Sequence, residues 1–187
     1  TDESIKAFIS SCQNEPCSFG NSSILPLQYL AHKYKFNELI QITDKLIEDH
    51  SEDLVFETLF FKIDEMKQKG KNDSFFDTSK EEQIISEHLS EFLQKEEMLR
   101  LPIQIIYHIL ALFYKHQTNK DEIKDDVTNF LFKCLDKYGR PASVLFNIID
   151  FGDQRIEVVN RLIENYSDIF DFNLINKTLT KTVKELT

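Results

Sequence analysis

The chain has 187 residues, with 16 Phe, no Trp, 4 Gly, 4 Pro, a formal net charge of −10 and a pI of about 5. So many aromatic rings and so few chain breakers describe a well-filled core and exclude a disordered chain. The acidic balance repels phosphate backbones and anionic bilayers, which argues against general nucleic-acid or membrane-surface binding.

The elements follow a 3.6-residue apolar period from end to end. Ile5, Phe8 and Ile9 give a short first helix. "NEPCSFGN" breaks it with a Pro and a Gly and has room for one short extended segment. Ser22 or Ser23 caps a second helix with Pro26 in its first turn and Leu27, Leu30 and Ala31 as its stripe. A tight Lys33-Tyr34-Lys35-Phe36 elbow leads to a third, capped by Asn37, with Leu39, Ile42, Leu46 and Ile47 on one face. Ser51 caps a fourth, through Leu54, Val55, Leu59 and Phe60.

The longest loop is "KQKGKNDSFFD", which holds the one basic cluster, Lys67 to Lys71. Thr78 with Glu81 reads as a capping box, opening a long helix through Ile84, Ile85, Leu89, Phe92 and Leu93. Pro102 opens the next, over Ile105, Ile106, Ile109, Leu112 and Phe113. Asn119 with Glu122 is a second box, for a helix through Val127, Phe130, Leu131, Cys134 and Leu135 that Gly139 ends in a left-handed cap. Pro141 starts a short helix over Val144, Leu145 and Ile148. Asp153 caps another through Ile156, Val159, Leu162 and Ile163, and a last one spans about Asn173 to Leu186.

The expected class is therefore all-α: an irregular stack of antiparallel helical hairpins, about ten helices in all, joined by short connections. No fixed-length repeat supports a regular solenoid. Composition shifts near the loop, so the expected division is a helical unit over 1–66, a loop over 67–78, and a second helical unit over 79–187 packed on the first.

"IKAFISSCQNEPCSFGNSSILPLQYLAHKYKFNELIQITDKLIEDH" resembles the C-terminal half of a BTB/POZ domain. Leu27, Leu30, Ala31, Tyr34 and Leu39 stand where that family has its Leu-x-x-Ala-x-x-Tyr helix, elbow and following helix; Thr43 replaces the family's usual Cys. "ISEHLSEFLQKEEMLRLPIQIIYHIL" is similar to a hairpin of the BACK-type helical extension. The runs "LFKCLDKYGRPASVLF" and "NYSDIFDFNLIN" resemble a protist family of BTB-like helical proteins. Relative to a full BTB domain, about the first half would precede Thr1, which is not an initiator Met.

The resemblance implies a non-catalytic protein–protein interaction module, an adaptor or scaffold whose partners include cullin-type ubiquitin-ligase scaffolds. A structural subunit of a cytoskeletal or other large assembly is the alternative. By that resemblance Gln13, Asn14, Glu15, Tyr34 and Phe36 are the candidates for the family's cullin contact, although "CQNEPC" departs from its apolar-x-acid pattern, and Lys33 and Lys35 flank Tyr34 in the elbow. In "IFDFN", Phe170 and Phe172 between acidic residues are either a core plug or an exposed aromatic anchor.

Chemistry-bearing patterns are weak. Cys12, Cys17 and His32 lack the second ligand pair of a structural zinc site. His108 and His116 are too far apart on one helix to share a metal, and His88 stands among glutamates. Adjacent carboxylates such as Glu81–Glu82 and Asp125–Asp126 point apart and suit helix N-termini. No nucleophile elbow or phosphate loop occurs. The expectation is no enzyme, no metal and no cofactor. Three cysteines fit a reducing compartment, no stretch approaches a membrane span and no signal peptide is visible, so the expected location is cytoplasmic. The glycosylation-type triplets at Asn21, Asn72, Asn165 and Asn176 would matter only in a secreted protein.

Overall fold

A computed structural model describes residues 2–13, 15–16, 20–69, 77–116, 122–149 and 156–170. Its elements are α1 (Asp2–Cys12), α2 (Asn21–Tyr34), α3 (Asn37–Asp49), α4 (Val55–Lys69), α5 (Ser79–Glu87), α6 (Leu89–Phe92), α7 (Glu96–Arg100), α8 (Ile103–His116), α9 (Lys124–Tyr138), a 3₁₀ helix (Arg140–Ile148) and α10 (Ile156–Tyr166). The fold is all-α, and no strand occurs among the described residues. The extended segment expected in "NEPCSFGN" is not seen at its described positions, and the helix expected over 173–186 lies outside the described residues.

The chain forms two compact units, Thr1–Ile84 and Ile85–Thr187. The first is built on α2, which packs against α1 and α3. Ala7, Leu27, Ala31 and Leu39 form its buried cluster, with Phe8, Phe36 and Ile40 packed on the edge. On α4, Val55, Phe56, Leu59 and Ile63 are buried. Lys62 on α4 reaches Glu81 on α5 at 2.8 Å to both carboxylate oxygens and donates to the Asp77 carbonyl. That bridge holds the start of α5 to α4 within the first unit.

The second unit is centred on α9, whose Phe130, Leu131, Phe132, Cys134 and Leu135 are all buried. The 3₁₀ helix packs on α8 and α9 through Ala142, Leu145 and Phe146. The Phe132 ring meets Phe146 and Tyr166, each at 5.8 Å, and the Arg161 guanidinium lies 4.0 Å over it. Tyr138 donates to the Leu99 carbonyl at 2.6 Å, tying the end of α9 to α7.

Several helix ends differ from expectation. α2 begins at Asn21 with Gly20 as its cap residue, so Pro26 sits inside the helix rather than in its first turn. The missing amide costs one helix bond, and buried Ile24, Leu25 and Leu27 hold the helix through it. α4 begins at Val55, because residues 51–53 form a turn first. The long helix expected after Thr78 breaks at His88 (φ −112°, ψ 32°) into α5 and α6. The Thr78 hydroxyl donates to Glu82 instead of closing a box with Glu81, whose carboxylate is taken by Lys62. Asp77, one residue before the cap position, accepts from the Ser79 N–H and hydroxyl. Asn119 lies outside the described residues, and α9 starts at Lys124 with no side-chain cap. Gly139 ends α9 at positive φ (62°) as expected, but at ψ −140°, outside the left-handed helical region.

Candidate interaction surface

The α2–α3 elbow is a Schellman turn formed by an unusual residue. The Lys35 N–H donates to the His32 carbonyl at 3.2 Å and the Phe36 N–H to the Ala31 carbonyl at 2.9 Å. These bonds satisfy the last carbonyls of α2. They require a left-handed residue, and Lys35 adopts φ 57°, ψ 40° without being glycine. The hydrophobic contact that accompanies such a turn is present: Phe36 packs against the cluster containing Ala31. Phe36 is thus half-buried and meets Phe8 edge-on at 6.3 Å.

The same turn directs Tyr34 outward. Its residue is 60% exposed, and the ring leans on Phe8 at 5.4 Å. The Lys33 ammonium lies 5.5 Å from the Tyr34 ring centroid and 6.0 Å from that of Tyr29, within reach of cation–π attraction. On the far side of Phe8, α1 carries Ile5 and Ile9, which are 50% and 49% exposed. Ser4 and Ala7 are the face that α1 buries. The apolar positions that define α1 in sequence therefore flank Phe8 on its solvent side. Ile5 and Ile9 are thus exposed on the same helix as Phe8, which meets Tyr34, and the Lys33 ammonium lies over the Tyr34 ring.

Local polar contacts hold this surface in place. Asp44 of α3 accepts from the Gln28 amide at 2.6 Å and lies 3.4 Å from His32 Nε2, which ties α2 to α3. His32 is thus engaged on the hairpin surface; Cys12 is exposed, and Cys17 lies outside the described residues. At the start of α2, Glu3 of α1 accepts the Gly20 N–H at 3.0 Å. That bond, with Ser23 beside it, holds the Glu3 carboxyl below its ordinary range. An anion at a helix N-terminus is the arrangement the helix dipole favours.

The other candidate residues fall in three places. Gln13 and Glu15 are exposed where α1 ends, with their N–H groups folded back on the Ile9 and Ser10 carbonyls. Asn14 and Phe172 lie outside the described residues. Phe170 belongs to the second unit, where it is half-buried and meets Phe146 edge-on at 5.2 Å. Ile5 and Ile9 were not foreseeable as surface residues, because periodicity alone assigns an apolar stripe to the core.

Among the described residues of the second unit are open clefts. One of about 300 Å³ is lined by Asp125, Asn129, Phe132, Glu157 and Arg161 among others. Another, about 310 Å³, is more apolar and is lined by Ile103, Gln104, Tyr107, His108, Pro141 and Val144. No group of three or more metal-ligating side chains comes together among the described residues, and no described helix is long and apolar enough to cross a membrane. Comparison of the chain with family models, curated proteins and solved structures finds no match.

Proposed function

We propose that the chain is a non-catalytic protein–protein interaction module, an adaptor or scaffold that binds its partner through the α1 face and the α2–α3 elbow. The observation that supports this reading is the exposure of Ile5, Ile9 and Tyr34 on a set of three packed helices. Large apolar side chains held at the surface by packed neighbours contribute strongly to binding when a partner covers them. The base is preordered, so little conformational entropy is lost on association.

Within this reading the residues divide by role. Tyr34 is the anchor, Ile5 and Ile9 extend the apolar contact, and Lys33 and Lys35 supply a basic rim on an otherwise acidic chain. Phe36 supports the elbow from the core side. A cullin-type scaffold is the first partner to test, on the strength of the BTB/POZ-like sequence pattern.

A pull-down from native lysate, read by mass spectrometry, compares the wild-type chain with Tyr34→Ala and with Ile9→Asp. One protein recovered in stoichiometric amount by the wild type, and lost by both variants while their helicity is intact, is the expected result. Equal recovery by all three baits would move the interface elsewhere.

A further inference from the structure

In the first unit a run of ring contacts crosses α1, α2 and α4. The Phe8 ring of α1 meets Tyr34 at 5.4 Å. The Lys33 ammonium lies over Tyr34 at 5.5 Å and over Tyr29, one turn earlier on α2, at 6.0 Å. Tyr29 in turn meets Phe61 of α4 at 6.4 Å. Phe8, Tyr29 and Phe61 are half-buried, whereas Lys33 and Tyr34 are exposed. The run therefore opens to solvent at its middle, where Lys33 carries its charge.

Among the described residues no carboxylate pairs with Lys33 or Lys35, although the chain holds 32 acidic residues against 22 basic ones. Asp44 on α3 faces Gln28 and His32 instead. A carboxylate that reaches an ammonium lying on ring faces gains a charge-assisted bond that those faces partly shield from water. The overall charge of −10 disfavours a nucleic acid or an anionic bilayer as the source of that anion. A second copy seated about a two-fold axis brings two basic elbows together, a like-charge contact. An acidic segment of another protein has neither drawback.

We propose that this run of rings docks a short acidic segment of a partner protein, with an Asp or Glu carboxylate on Lys33 and flanking apolar side chains on the Tyr34 and Tyr29 rings. The proposal rests on the elbow being an interface and adds the chemistry of what binds there. Lys33 fixes where the acidic residue sits, and the rings supply apolar contact area, a division between charge and aromatic anchors that interfaces commonly use. Lys35 adds positive charge beside the elbow, which steers an acidic segment toward it.

A displayed library of random linear peptides, selected on the full chain, supplies the probes. The enriched peptides are expected to combine Asp or Glu with apolar neighbours. Fluorescence anisotropy of the leading peptide, labelled, then compares variants whose helicity is intact. Lys33→Glu and Tyr34→Ala are each expected to weaken binding at least ~10-fold. Lys33→Met, which keeps an apolar stem on the rings without the charge, is expected to weaken it less than Lys33→Glu. Lys45→Glu, the same charge change at an exposed position on α3, is expected to stay within ~2-fold of wild type. Enriched peptides that lack acidic residues, or equal affinity for Lys33→Glu, overturn the acidic chemistry while leaving the elbow as the interface. Binding that is indifferent to Tyr34→Ala removes both. A selection that enriches nothing overturns the short segment as the partner. A free chain that sediments as a dimer, and as a monomer after Tyr34→Ala, overturns the proposal by making a second copy the occupant.

Discussion

Phe8 and Tyr34 meet with ring centroids 5.4 Å apart, planes tilted by 38°, and this contact joins α1 to the elbow. The two rings differ in burial: Phe8 is half-buried against the core cluster, whereas Tyr34 is 60% exposed. Truncation should separate them. Phe8→Ala is expected to cost about 2 kcal/mol of unfolding free energy, and Tyr34→Ala under about 1 kcal/mol. Urea unfolding of both variants checks the split; an equal large loss would make Tyr34 a packing residue.

Lys62 and Glu81 form the most buried ion pair described, with side chains 14% and 7% exposed and a contact of 2.8 Å. Removing one partner strands the other charge in a poor solvent for it. Lys62→Met is expected to cost about 3 kcal/mol, and adding Glu81→Leu to return stability to within about 1 kcal/mol of wild type. Denaturant midpoints of the single and double variants measure this coupling.

Lys35 occupies the left-handed region with a Cβ in place, which costs about 1–2 kcal/mol relative to a residue without one. Lys35→Gly relieves that strain but loses about 0.5–1 kcal/mol to the greater freedom of the unfolded chain. The expected net gain is about 0.5 kcal/mol, while the β-branched Lys35→Val should lose stability. Thermal melts of the two variants should move in opposite directions.

Much of the fold was legible in sequence because apolar spacing reports burial wherever a helix is covered on one side. α8 and α9 show this: Ile106, Ile109, Phe113, Val127, Phe130, Leu131 and Cys134 are buried where the period places them. Helix ends were less legible. Thr78 and Glu81 look like a capping box, yet Lys62 from another helix claims Glu81, a partner that no local window contains. The elbow residues were legible as an elbow, but not that Lys35 rather than a glycine supplies the left-handed turn. The candidate surface was half legible: of the two elbow aromatics expected at a partner contact, Tyr34 is exposed while Phe36 packs on the core cluster, and Ile5 and Ile9 carry a core-like pattern that the packing of Ser4 and Ala7 reverses.

Acid should weaken the first unit in a defined way. Asp77 is held below its ordinary range by the Ser79 hydroxyl and N–H, and Glu3 by the Gly20 N–H and Ser23. Because the folded values are depressed, the stabilisation is fully present above the unfolded carboxylate range of about 4 and is lost as pH falls through the lower folded values. Both groups are solvent-exposed, so each contribution is screened and small. Asp77→Asn with Glu3→Gln should flatten the loss of stability between about pH 5 and pH 2; urea midpoints across that range decide it.

The two described thiols should react very differently. Cys12 is exposed, whereas Cys134 is fully buried and its pKa is pushed up to about 12 by burial, which Lys137 offsets only in part. At pH 8 the native chain is expected to alkylate at Cys12 at least ~100-fold faster than at Cys134. Mass spectrometry of iodoacetamide-treated protein reads the ratio, and the gap should close in denaturant.

The most direct measurement of the central claim is the affinity of the recovered partner, purified, for the wild-type chain and for Tyr34→Ala by calorimetric titration. The account predicts saturable binding that weakens at least ~10-fold in the variant, with thermal stability close to that of the wild type. Unchanged affinity in a folded Tyr34→Ala chain would contradict the elbow as the interface.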